Sequence, residues 1–138
     1  MSVTLGRILV VDDEPQVGAM LRELLAELGY VVKTAVRGAE ALQLVSVFQP
    51  DAVLLDLQMP GMSGVQVLEH LRRDYPDLPV VIVTANADED LGRRTLTRGA
   101  FDYVRKPFDL DVLARVVAAA VVLPQAGRLG DASGRPAC

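Results

Sequence analysis

Five short apolar segments rich in β-branched residues recur along this chain, and each is followed by a stretch whose apolar residues repeat at helical spacing. The segments are Ile8 to Val11, Val31 to Ala35, Ala52 to Leu55, Val80 to Val83 and Tyr103 to Val104, and each reads as a strand. Several are apolar throughout rather than alternating, which predicts burial on both faces, as when helices cover both sides of a parallel sheet. Strand followed by helix, five times over, predicts right-handed crossovers and an α/β, doubly wound five-stranded parallel sheet with helices on both faces. Periodicity does not give the strand order. With 51% apolar residues in 138, the chain has enough material for one core, and a single domain is expected over residues 1–124.

The helical stripes differ in quality. Val17, Met20, Leu21, Leu24, Leu25 and Leu28 predict a first helix stopped by Gly29 in a left-handed conformation. Ala41, Leu44, Val45 and Phe48 predict a second, ended by Pro50. Val65, Leu68, Leu71 and Tyr75 predict a third, opened by Ser63 with Gln66 as a capping box. Leu113, Val116, Val117 and Ala120 predict a last helix capped by Asp109 and ended by Pro124. The segment Asp88 to Arg98 is poorer: Gly92 and two threonines lower its propensity, and Leu91 and Leu96 are its expected core anchors. Its leading acids and trailing arginines complement the helix dipole.

Composition narrows the partners. Fourteen basic against eighteen acidic residues give a net charge of -4, so no global pull toward nucleic acid or an anionic membrane is expected. The single cysteine, Cys138, offers no disulfide or cysteine metal cluster within the chain. The longest apolar run, Val116 to Leu123, is far short of the roughly 18 residues of a membrane span, and no secretory profile opens the sequence. A soluble, cytoplasmic protein is expected, monomeric or weakly dimeric. Residues 125–138 are rich in Gly, Ala, Ser and Pro and are expected to be a flexible tail, a truncated linker or a cloning remnant.

In an open parallel sheet, functional groups gather beyond the carboxyl ends of the strands. There the first predicted strand runs into Asp12, Asp13 and Glu14, the third into Asp56, the fourth into Thr84 and Ala85, and the fifth into Lys106 and Pro107. Three convergent carboxylates repel unless a cation or proton compensates, and oxygen ligands without His or Cys suit Mg²⁺ (or Mn²⁺). With a metal beside it, a strand-tip carboxylate such as Asp56 can act as a nucleophile toward phosphorus. Lys106 and the Thr84 hydroxyl would then stabilise equatorial oxygens of the transferring group. A cis bond between Lys106 and Pro107 would aim the ammonium back at Asp56. Each signal alone has a bland explanation, as a helix cap, a turn residue or a solvated lysine. Their joint occurrence at the ends of four strands is much harder to obtain by chance.

The segments ILVVDDEP, AVLLDLQMPGMSG, VVIVTA and GAFDYVRKPF resemble, in order, the signature segments of the receiver domains of two-component response regulators. The best-known stand-alone member of that family is the chemotaxis response regulator. The match covers residues 7 to about 122. The resemblance implies a flavodoxin-like receiver fold with strand order 2-1-3-4-5. It implies that Asp56 accepts phosphate from a sensor histidine kinase or phosphotransfer protein, and that Asp13, Asp56 and the backbone carbonyl of Gln58 bind Mg²⁺, with Asp12 acting through metal-bound water. It further implies that Lys106 contacts the phosphoryl group, and that Thr84 moves toward it while Tyr103 swings inward behind. Such a switch would couple Asp56 to an output face of the fourth helix, fifth strand and fifth helix, read by a downstream protein or effector domain. Ala85 matches the small residue that leaves room for the phosphoryl group, and Gln58 and Asn86 match positions that vary the dephosphorylation rate. A half-buried edge-strand aromatic is the plain alternative for Tyr103. Some members dimerise through a charged lattice; Asp102 and Arg115 could supply one pair, but Val112 stands where an acid is usual. His70, the only histidine, is expected at the surface.

Two other classes remain open on the residues alone. An aspartate-nucleophile phosphatase usually carries a second Asp two residues on, where this chain has Gln58. A flavodoxin-like nucleotide binder would want Gly, Ser and Thr after the first strand, where Asp12, Asp13 and Glu14 stand.

Overall fold

A computed structural model describes residues 4–85 and 89–132. Five strands alternate with five helices: β1 (Gly6–Val11), α1 (Pro15–Glu27), β2 (Tyr30–Ala35), α2 (Gly38–Phe48), β3 (Ala52–Asp56), α3 (Gly64–Asp74), β4 (Val80–Ala85), α4 (Glu89–Thr97), β5 (Asp102–Lys106) and α5 (Leu110–Ala132). The strands form one parallel sheet in the order β2-β1-β3-β4-β5.

Alternate residues of the central strands serve opposite layers. Leu9, Val11, Val53, Leu55, Val80 and Ile82 meet α2 and α3 through Ala41, Val45, Val67, Leu68 and Leu71. Ile8, Val10, Leu54, Val81 and Val83 meet α1 and α5 through Leu21, Leu25, Leu113, Val117 and Ala120. That division explains why β1 and β3 carry no polar alternation: neither face reaches water. The edge strands β2 and β5 do alternate between buried and more exposed residues.

The local signals act as their chemistry requires. Gly29 closes α1 with φ +112, and Gln49 takes a left-handed conformation before Pro50. Ser63 and Gln66 form the reciprocal capping box, and Asp109 Oδ1 accepts from the N–H groups of Asp111 and Val112. The Lys106–Pro107 bond is cis.

Three expectations are corrected. Pro124 does not end α5, which continues to Ala132; a proline forfeits one helical hydrogen bond and can be carried as a local kink. Leu96 is 40% exposed and is no core anchor. The buried residue on that side of α4 is Thr95, whose hydroxyl donates to Gly92 O and so carries no unpaired polar group inward. Met20 in α1 and Leu28 at its C-cap are exposed at 42% and 49%; Met20 falls on the far side of the buried line through Gly18, Leu21 and Leu25, and Leu28 lies past the last helical residue. Asp88 and Asn86 lie outside the described residues, as does 133–138.

Leu54, 1% exposed at the centre of β3, should cost about 2–5 kcal/mol on truncation to alanine, whereas Val47, 81% exposed on α2, should cost less than about 0.5 kcal/mol. Urea unfolding of Leu54→Ala and Val47→Ala checks the contrast.

Candidate functional site

Register brings the acids together. β1 and β3 are neighbours with Val11 opposite Leu55, so the next residues, Asp12 and Asp56, emerge side by side. β4 places Val83 opposite Asp56 and Thr84 just beyond, and β5 pairs Lys106 with Ala85. One carboxylate oxygen from each of Asp12, Asp13 and Asp56 lies within 4.8 Å of the others. Lys106 reaches back across the sheet end, its Nζ 3.2 Å from Asp12 Oδ2 and 3.7 Å from Asp56 Oδ2.

Asp12 and Asp56 are 3% and 5% exposed, so each has given up nearly all its hydration. Backbone donors replace part of it: Glu14 N–H donates to Asp12 Oδ1 at 3.0 Å, and Gln58 N–H to Asp56 Oδ1 at 3.1 Å. Burial still pushes the Asp56 carboxyl from 3.8 up to about 6, against the Gln58 N–H and with Asp12 adding to the rise. For Lys106, burial pulls the other way, but Asp56 and Asp12 outweigh it and hold the ammonium above its ordinary value. The cluster therefore has a fixed cation on one side and three oxygen donors on the other. All-oxygen ligands at this separation fit a hard divalent ion such as Mg²⁺ better than a softer metal.

Thr84 is fully buried in β4, and its hydroxyl approaches Ala85 O at 3.4 Å. Gln58 is exposed beside Asp56, and Pro107 is exposed after Lys106. Tyr103 is half-buried on β5 and packs on the layer that includes Leu91 of α4. His70 is half-buried at the surface of α3, where the Arg73 guanidinium donates to its Nδ1 at 2.7 Å. Asp102 accepts from the Tyr103 N–H at 2.8 Å, and Val112 and Arg115 are exposed.

Gly64 is a positioning residue that the sequence reading passed over. A Cβ there would collide with the backbone of Asp56 and Leu57, so only glycine lets α3 start this close behind the Asp56 carboxylate. Its signal was legible: a glycine directly after the cap Ser63, inside a helix, calls for a packing reason.

The receiver domain model of response regulators matches residues 8–118. The chain is 46% identical over 113 residues to the transcriptional regulatory protein KdpE of Mycobacterium tuberculosis, covering 81% of this chain and 50% of that protein. It is 42% identical over 119 residues to the regulatory protein AtoC of Escherichia coli, covering 86% and 26%. Among solved structures, the receiver domain of NtrX from Brucella abortus superposes with a TM-score of 0.81 at 30% identity, covering 84% of this chain and 98% of that one. The chain thus spans between a quarter and a half of the length of these two curated relatives.

The raised Asp56 value has a signed consequence for stability. Between pH 3.8 and about 6 the folded chain holds a proton that the unfolded chain releases, so this group's contribution falls as pH rises through that window, by roughly 3 kcal/mol in total. With divalent ions chelated, Asp56→Asn should be more stable than the wild type at neutral pH, and the gap should close toward pH about 4. Urea midpoints across pH measure it; a gap that does not change with pH contradicts the account.

Proposed function

The chain belongs to the response regulator receiver domain family, and on that premise we propose that Asp56 is its phosphoacceptor, served by Lys106, Thr84 and a divalent ion. The observation that carries the reading is the cluster of Asp12, Asp13 and Asp56 oxygens within 4.8 Å, with Lys106 Nζ against two of the three. Two buried acids with a third beside them at one end of the sheet are costly to keep, and the cost is offset where positive charge and phosphate meet.

In this reading, Asp13, Asp56 and the Gln58 carbonyl would hold Mg²⁺ or Mn²⁺, with Asp12 contributing through water. The ion supplies positive charge for the phosphoryl oxygens. An Asp56 carboxylate oxygen forms a bond to the phosphorus of a phosphohistidine on a sensor kinase or phosphotransfer protein, and the P–N bond breaks. The imidazole leaves and takes a proton from water. Lys106 pairs with one equatorial oxygen, Thr84 turns its hydroxyl to another, and Ala85 leaves them room. The chain catalyses its own phosphorylation and slow dephosphorylation and no other turnover. Tyr103 follows Thr84 inward, and the face of α4, β5 and α5 passes the change to an effector domain or partner in the cytoplasm. The two regulators AtoC and KdpE extend well beyond the stretch that matches this chain, which supports an effector domain as the reader of that face. Among the described residues no helix is long and apolar enough to cross a membrane.

The other two classes gain nothing. Gln58 cannot serve as the second acid of a phosphatase, and buried Asp12 beside Asp13 would repel a nucleotide phosphate.

Incubation with acetyl phosphate and Mg²⁺ should add one phosphoryl group by intact mass. Chelation should abolish the adduct, Asp56→Asn should not form it, and Lys106→Ala should form it on the order of 100-fold more slowly. An adduct that persists in Asp56→Asn sinks the assignment.

A further inference from the structure

Gly92 stands in the interior of α4, where glycine is among the least favourable residues. A Cβ at that position would lie 3.0 Å from Tyr103 Cδ2 and 3.3 Å from both Tyr103 Cγ and Thr84 Cγ2. All three separations are shorter than ordinary carbon–carbon contact, so the ring and the methyl group fill the room a side chain would need. The surrounding turn is held in place: Thr95 is fully buried and its hydroxyl donates to Gly92 O, while Leu91 packs on the same layer as Tyr103. Thr84 in turn directly follows Val83, the residue opposite Asp56 in the β3–β4 register.

We infer that Gly92 is a positioning residue: its bare Cα is the seat through which α4 rests on Thr84 and Tyr103, and it sets how readily those two side chains shift. The inference rests on the reading of Asp56 as phosphoacceptor and adds to it the point where α4 takes up the change. A methyl group at position 92 crowds the arrangement described here. Movement of Thr84 toward Asp56 relieves one of the close contacts, and movement of the ring relieves the others. The substitution therefore raises the resting arrangement relative to the shifted one and moves the population toward the latter. Because overpacking also competes with the better helix propensity of alanine, the effect appears in the switch and not in global stability alone.

Gly92→Ala tests this. With Tyr30 and Tyr75 as internal references, the Tyr103 ring resonances should shift without any phosphoryl donor, toward those of the phosphorylated wild type. Phosphorylation by acetyl phosphate should speed up about fivefold, and in a Tyr103→Ala background the same substitution should change the rate by about twofold or less. Unchanged ring resonances and rate, or an acceleration of equal size without the ring, overturn the inference. Should Gly92→Ala not fold, Gly92→Ala combined with Tyr103→Ala must fold, since the ring contact is gone; a double variant that also fails to fold counts against the seat. A wild-type chain that takes up no phosphoryl group defeats the phosphoacceptor reading, whereas the donor-free ring resonances test the seat at Gly92 by themselves.

Discussion

Two carboxylates end adjacent parallel strands at the centre of the sheet, and the rest of the molecule is arranged around keeping them there. Asp12 and Asp56 are almost wholly buried, so each has lost hydration and each faces a like charge. Two backbone N–H groups and the Lys106 ammonium offset part of that cost, and the remainder shows in the raised Asp56 carboxyl. Such a cluster persists only on a scaffold stable enough to carry it. That scaffold is the pair β1 and β3, whose Ile8, Leu9, Leu54 and Leu55 are at most 1% exposed and packed on both sides.

The same packing fixes the direction in which the site can respond. Behind Asp56, Gly64 brings α3 against the strand backbone with no space for even a methyl group. Beside it, the side chains of β1 are buried in the two core layers. Toward β5 the chain is more exposed: Tyr103 and Lys106 are half-buried, and Arg105 and Pro107 are exposed. A charge change at Asp56 therefore meets close-packed elements on the α3 and β1 sides and a more exposed edge toward β5.

Much of this was legible in the residues. All five strands were found from their β-branched runs, and the caps at Ser63 and Asp109 and the stop at Gly29 from residue chemistry alone. The convergence of Asp12, Asp56 and Lys106 followed from one rule about strand ends. The misses share a cause. Leu96 was assigned to the core by its hydrophobicity, while Thr95 lies inside because its hydroxyl finds the Gly92 carbonyl one turn back. Pro124 was read as a stop because propensity is local, yet α5 runs through it. Gly64 went unremarked because what it avoids is the backbone of a residue eight positions earlier. Hydrophobic period reports which face is apolar; it does not report close approach or a polar group satisfied within its own helix.

The C-terminal turn of α4 and its middle, at Gly92, meet the rest of the molecule by different means, and this bears on how a local event at the site spreads. At its C-terminal end, Gly99 takes φ +97 with its carbonyl accepting from Arg72 Nη1 at 3.3 Å, and Arg72 also donates to the carbonyls of Tyr75, Pro76 and Leu78. That guanidinium ties α3, the α3–β4 loop and the α4–β5 turn into one bracket, with several charge-assisted bonds in place of one. The Arg98–Glu69 pair at 3.2 Å joins the same two helices, although both side chains are more than half exposed and such a pair contributes little. Nearer the site, α4 approaches Tyr103 and Thr84 closely at Gly92. The close contact at Gly92 is the more sensitive of the two to small displacement, because a gap of about 0.5–1 Å already forfeits a quarter to a half of a dispersion contact.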